Sequence, residues 1–269
     1  MDIDSKYGIL KGIIRDLGQV IVAYSGGVDS TFLLKTSVDV LGRENVLAVI
    51  ASSPIYPGED IQEAERTAKT LGSEYVITET SQLNNSNFVS NSIDRCYYCK
   101  QIIINELLSI GNNKGISNIT EGSNLDDMSD FRPGSRACKE KGVVSPLQMA
   151  GLTKKEIREL SRILRLPTAE RPSDACLATR IPYGTPIDKV LLERIEQSES
   201  FIKDLGIKQV RVRSHGSIAR IEVTGEDLEK IMENRDAVAE TLRKYGFMYI
   251  ALDLQGYRTG SMNETAHSS

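Results

Sequence analysis

The run Ser25-Gly26-Gly27-Val28-Asp29-Ser30 holds the residue types best suited to phosphate chemistry in this chain. Adjacent glycines let a main chain turn sharply and approach an anion closely. A helix opening directly after them offers uncommitted N–H groups and the positive end of its dipole. Ser25 and Ser30 add hydroxyl donors. Asp29 is repelled by phosphate unless a cation lies between, so it points to bridging Mg²⁺ or to a helix cap. The spacing is not that of the Walker loop, which needs Gly-Lys-Ser/Thr after four intervening residues. The bland alternative is a glycine-rich turn with no ligand.

The chain has four cysteines, Cys96, Cys99, Cys138 and Cys176. In a reducing compartment thiols serve metals or catalysis more often than disulfides. Cys96-Tyr97-Tyr98-Cys99 starts a helical pattern, where both sulfurs can face one side and the helix N-terminus favours thiolates. Zinc wants four ligands, and neither a second such pair nor histidines beyond His215 and His267 are present. Three thiolates around an iron–sulfur cluster with one open iron are another solution, with Cys176 as the third. Cys138 looks incidental. A pair of half-buried, inert thiols is the plain alternative.

These residues need elements to hold them. Residues 9–17 have apolar side chains at helical spacing, and 20–24 form a short apolar strand that leads through Ala23 into the glycine loop. Helical and strand patterns then alternate: 45–53 and the run after Gly72 as strands, the run from Cys96 as a helix, and 117–123 as a fourth strand. Thr153 and Glu156 form a capping box before another helix. Alternation predicts a parallel sheet covered on both faces, an α/β domain over 1–170. Ligands of such sheets bind beyond the C-terminal strand ends, which places adenine near Ala51 and Gly122. From 171 to 269 a proline-rich stretch, a helix over 188–205, two alternating strands around His215-Gly216, a helix over 226–246 and a strand within 247–257 predict a small α+β domain. His215 is expected only to shape a turn, and the tail from Met262 to fray.

With 269 residues, two domains are the expectation. Net charge is −4, which argues against a dedicated nucleic-acid binder. No apolar run reaches the ~18 residues of a membrane helix, and the start lacks a signal-peptide layout. A cytoplasmic protein follows.

The glycine loop resembles the SGGxDS loop of the N-type ATP pyrophosphatases (PP-loop, adenine-nucleotide α-hydrolase-like fold), which cleave ATP between the α- and β-phosphates. Further segments, 22–31, 126–137, 175–185, 210–222 and 251–263, resemble the LarE family of ATP-dependent sulfur transferases across nearly the whole chain. That resemblance implies adenylation of a carboxylate of pyridinium-3,5-biscarboxylic acid mononucleotide, followed by thiocarboxylate formation. The nucleotide-binding set becomes Ala23, Ser25, Gly26, Gly27, Asp29, Ser30, Ala51, Gly122 and Arg180. Arg180 would neutralise pyrophosphate or hold Cys176 as thiolate. Arg211 and Arg213, two apart on a strand, face one side. With Glu199 and Arg258, and Arg220 from the paired strand, they would bind the anionic acceptor; a solvated basic strand is the alternative.

One branch of the family sacrifices its cysteine and is left with dehydroalanine. Here Cys96 and Cys99, Asn124-Leu125-Asp126-Asp127 and the later Cys176 are also similar to tRNA 2-thiolation enzymes with a three-cysteine 4Fe-4S cluster. The resemblance therefore implies a cluster-bearing variant, with Cys96, Cys99 and Cys176 as ligands and sulfide as donor. Asp127 would hold Mg²⁺, assist at the cluster, or merely cap a helix. The partners expected are a small nucleotide, a sulfur donor and a second copy of the chain, and not nucleic acid. Rival readings are a tRNA thiolase, an amidotransferase-type ligase and a nucleotide sensor without turnover.

Overall fold

The computed structural model describes residues 1–128, 133–172 and 175–258. The C-terminal tail expected to fray lies outside the described residues. The chain divides into two compact units. The first comprises Met1–Gln82 and Asp94–Asp174; the second comprises Leu83–Ile93 and everything from Ala175 onward.

The first unit is built on strands β1 (Val20–Ala23), β2 (Val46–Ser52), β3 (Glu74–Glu79) and β4 (Asn118–Thr120). They form one parallel sheet in the order β3-β2-β1-β4. Val20, Ile21 and Val22 of β1 are all fully buried, because a central parallel strand is covered on both faces. Alternation sorts the side chains. Val20, Val22, Ala48 and Ile50 join Leu10 and Ile14 of helix α1 (Ile3–Leu17), Phe32 and Leu33 of α2 (Val28–Leu41), and Ala64 of α3 (Gly58–Thr70). Ile21, Leu47, Val49 and Ile119 join Leu107 on the other face.

The second unit opens with α4 (Ser86–Val89), after which α5 (Arg95–Lys114), α6 (Pro133–Glu140), α7 (Pro146–Met149) and α8 (Lys154–Ile163) return to the first unit. The expected capping box at α8 is present: Thr153 Oγ1 accepts from the Glu156 amide, and Glu156 accepts from the Thr153 amide. The second unit continues with α9 (Lys189–Asp204), β5 (Val210–His215), β6 (Ile218–Val223), α10 (Leu228–Glu233), α11 (Arg235–Lys244) and β7 (Tyr249–Leu252). β5 and β6 pair antiparallel and β6 and β7 parallel, giving a three-stranded mixed sheet.

The helix expected over 226–246 is two helices. Asn234 leaves the helical region (φ −100°, ψ 12°), and its side-chain amide donates to the Lys230 carbonyl. Asparagine competes with the helix ladder in this way. The last strand covers only Tyr249–Leu252 of the stretch expected. Among the described residues no helix is long and apolar enough to cross a membrane.

Candidate active site

The Ser25–Ser30 loop lies where β1 passes into α2. Gly26 has φ +73°, and a Cβ there would stand 2.9 Å from the Cβ of Ala64 on α3. Conformation and space both require glycine. Gly27 is the N-cap of α2 and supplies no side-chain acceptor, so no side chain caps the first turn of the helix. Ser25 Oγ and Ser30 Oγ are 3.1 Å apart, and Ser30 Oγ also donates to the Gly27 carbonyl. At Gly122, just past β4, a Cβ would lie 3.0 Å from the Ser30 amide nitrogen. That closeness holds the β4 exit against the start of α2. Ala23 ends β1 and Ala51 lies near the C-terminal end of β2, both partly exposed. All these residues therefore sit at one edge of the sheet, as the ligand rule for open α/β sheets requires.

Asp29 points its carboxylate toward α8. Oδ2 accepts from Lys154 Nζ at 2.5 Å, while Oδ1 is buried with no hydrogen-bond partner. Burial raises the Asp29 pKa above the usual carboxylate value; Lys154 opposes this and Asp127 adds to it. Asp127 lies in a 3-10 turn (Asp126–Met128), where it accepts from the Asn124 amide at 3.0 Å. The Lys154 amide donates to Asp126. Two carboxylates therefore influence each other beside the loop, and one of them has a buried oxygen to spare. That donor set suits Mg²⁺, a hard cation taking oxygen ligands.

Sequence reasoning missed four supports of this edge. Lys154 is one, hidden in the text as part of a capping-box helix. Arg171 donates to the Gly26 carbonyl (3.3 Å) and to Asp60 (2.6 Å), so it braces the loop. Lys100 and Glu121 pair at 3.3 Å, with Glu121 also accepting from Ser145 Oγ and the Ser123 amide. Burial works against both charges, yet each holds the other ionised: Lys100 titrates above and Glu121 below its usual range. A cavity of about 430 Å³ opens there, lined by Glu121, Asp127, Arg136, Cys138, Ser145 and Gln148.

Cys96 and Cys99 occupy the first turns of α5; Cys96 is exposed and Cys99 half-buried. Gln82 Nε2 lies 3.9 Å from Cys99 Sγ as a donor. Cys138 is buried among Ile104 and Ala137, and burial pushes its thiol up to about 11. No disulfide joins any of the four cysteines, and Cys176 belongs to the second unit. Among the described residues no group of three or more Cys, His, Asp or Glu is gathered to hold a metal.

In the second unit Cys176 caps a 3-10 turn, Leu177–Arg180. Arg180 and Glu199 form a buried bidentate pair at 2.9 and 3.0 Å. Arg211 and Arg213 on β5 are each 5% exposed, so the strand is no solvated basic face. Arg213 donates to Glu222 and to the Thr179 carbonyl. Arg220 on β6 pairs with Glu222 from the other side, and Glu222 Oε2 is buried without a partner. The Arg211 guanidinium lies 5.3 Å from the Tyr257 ring, next to Arg258. His215 ends β5 before Gly216, in the turn expected of it; burial and the nearby Arg220 and Arg213 lower its pKa.

The NAD synthase family matches residues 10–96, which span the glycine loop. The chain is 36% identical over 261 residues to pyridinium-3,5-bisthiocarboxylic acid mononucleotide synthase of Lactiplantibacillus plantarum, covering 97% of this chain and 95% of that protein. It is equally similar to the uncharacterized protein slr1717 of Synechocystis, at 36% identity over 97% of this chain and 98% of that one. An NH(3)-dependent NAD(+) synthetase of Methanopyrus kandleri is 37% identical over only 76 residues, 28% of this chain and 27% of the synthetase.

Proposed function

Because the chain belongs to the LarE family of ATP-dependent sulfur transferases, we propose that it adenylylates a carboxylate of pyridinium-3,5-biscarboxylic acid mononucleotide and converts it to a thiocarboxylate. The observation that carries this reading is where the similarities stop. Likeness to the NAD synthetase covers 28% of the chain, whereas likeness to the mononucleotide synthase runs through Cys176, Arg211 and Arg213. An ammonia-using ligase shares the first part and has no use for the second.

The loop amides and the Ser25 and Ser30 hydroxyls hold the phosphates of ATP. Asp29 and Asp127 would hold Mg²⁺, which when bound would supply charge neutralisation for the phosphates. Lys154, within reach of Asp29, supplies a second cation at the same edge. Arg211 and Arg213 take the acceptor's phosphate and carboxylates, a task suited to forked guanidinium donors. The acceptor carboxylate attacks the α-phosphorus, the α–β bond breaks, and the resulting acyl adenylate is open to a sulfur nucleophile that displaces AMP.

Cys96, Cys99 and Cys176 carry thiols, the side chains that ligate iron–sulfur clusters, and they would hold a 4Fe-4S cluster. When bound, such a cluster supplies an open iron position for sulfide. Sacrifice of Cys176 is the second reading, favoured by the fixed, half-exposed position of that residue. The test is to incubate the protein with MgATP, sulfide and the biscarboxylate mononucleotide. AMP, pyrophosphate and a product heavier by the exchange of oxygen for sulfur are expected. ADP with phosphate, or thiolated tRNA in a parallel incubation, would overturn the proposal.

A further inference from the structure

Arg180 is 2% exposed and Glu199 3%. Two charges taken out of water repay their desolvation only where nearly every donor and acceptor finds a partner. Arg180 Nε and Nη2 meet the two Glu199 oxygens; Nη1 donates to the Ala175 carbonyl (2.6 Å), the Cys176 carbonyl (3.1 Å) and Thr179 Oγ1. An apolar pair of the same volume would fill this space and leave those carbonyls unheld. The Cys176 carbonyl also accepts from the Thr179 amide and from Thr179 Oγ1 at 2.8 Å. Three donors thus converge on the main-chain carbonyl of Cys176, whose side chain is half-exposed.

The same carboxylate reaches the sheet. Glu199 Oε1 accepts from the amide of Val212, the residue between Arg211 and Arg213, at 2.9 Å. A second tie runs back from Arg213 Nη1 to the Thr179 carbonyl at 2.9 Å. The cysteine turn and the arginine strand are therefore joined twice, with the buried pair in the middle.

We propose that Arg180 and Glu199 are positioning residues, which fix the main chain of Cys176 in register with Arg211 and Arg213 and so set where its sulfur stands relative to the bound acceptor. The mechanistic half rests on the reading of Cys176 as a sulfur-handling residue; the tether itself does not.

Arg180→Lys keeps the charge but loses the fork that spans Glu199 and the two carbonyls, and Glu199→Gln is the milder change. Both are made in the full-length chain with Cys96, Cys99 and Cys138 replaced by Ala and a nitroxide on Cys176. The expected spectrum is broad with Arg180 present and narrowed in Arg180→Lys at a temperature where circular dichroism shows both folded. Glu199→Gln narrows it less, and decides the matter if Arg180→Lys does not fold. In chains with all cysteines intact, the ratio of thiocarboxylate to pyrophosphate falls by up to about 10²-fold, the scale of a misplacement near 1 Å, with little change in KM for the acceptor. An unchanged nitroxide spectrum in a folded variant, or pyrophosphate and thiocarboxylate falling in step, overturns the proposal. If unsubstituted protein releases pyrophosphate but makes no thiocarboxylate, the sulfur reading fails, and the nitroxide spectra still decide the tether.

Discussion

Lys154 Nζ lies 2.5 Å from one oxygen of the Asp29 carboxylate, and the other oxygen of that carboxylate is buried without a partner. A lysine thus engages one oxygen of the carboxylate and leaves the other to take a cation. Asp29→Asn should lower pyrophosphate release at least ~10²-fold, because the metal contributes several kcal/mol at such a position. The same change should leave the protein no less stable at neutral pH. Burial raises the pKa of Asp29, so the folded state holds its proton more tightly than the unfolded state. Stability from this group is greatest below its ordinary pKa and falls as pH rises through the raised value. Urea titrations of both proteins at pH 4 and pH 7 check the sign: the advantage of the variant should shrink on acidification.

Arg211 and Arg213 should separate under substitution. Arg211→Ala should weaken acceptor binding by about 1.5–3 kcal/mol, the worth of a hydrogen bond to a charged group. Arg213 is tied to Glu222 and to the Thr179 carbonyl, so Arg213→Ala should also destabilise the fold, by about 3–5 kcal/mol for a buried pair left broken. Calorimetric binding beside thermal melts distinguishes the two.

Protein purified without oxygen should be brown, carry about four irons per chain and turn over repeatedly with added sulfide. Replacing Cys96, Cys99 or Cys176 by Ala should each remove iron and activity. A colourless protein, active once and then lacking the Cys176 sulfur by mass spectrometry, would establish sacrifice instead.

Cys138 should be the inert thiol. Burial takes it from an ordinary 9.0 to about 11, so its thiolate fraction at pH 8 is about 100-fold below that of a free cysteine, and alkylation should slow in proportion. Its contribution to stability is full below pH 9 and is lost as pH climbs toward 11. Cys138→Ala should retain iron and activity.

The nucleotide edge was legible because glycine, a strand end and a helix start leave a local mark: Ser25–Ser30 and the Thr153–Glu156 box are contiguous. The strands of the second unit were legible through their alternation. The partners of Asp29 and Gly26 were not, because Lys154 and Arg171 arrive from 125 and 145 residues away, and nothing in a basic side chain's neighbourhood announces such a contact. Arg180 was readable as a cation near Cys176, but its burial against Glu199 depends on helix α9 and could not be seen in the spacing. The break at Asn234 was missed because the apolar periodicity continues across it.

Leu83–Ile93 belongs to the second unit although it is flanked on both sides by the first. Asn91 shows what this means in time. It is fully buried, holds φ 55°, and its side-chain amide donates to the carbonyls of Ile181, Pro182 and Thr185, some 90 to 94 residues later. On a ribosome adding 5–20 residues per second, those acceptors are made roughly 5–20 seconds after Asn91 itself. The side-chain hydrogen bonds of Asn91 can form only after residues 94–174 have all been made. No single cut would release either unit with all its parts.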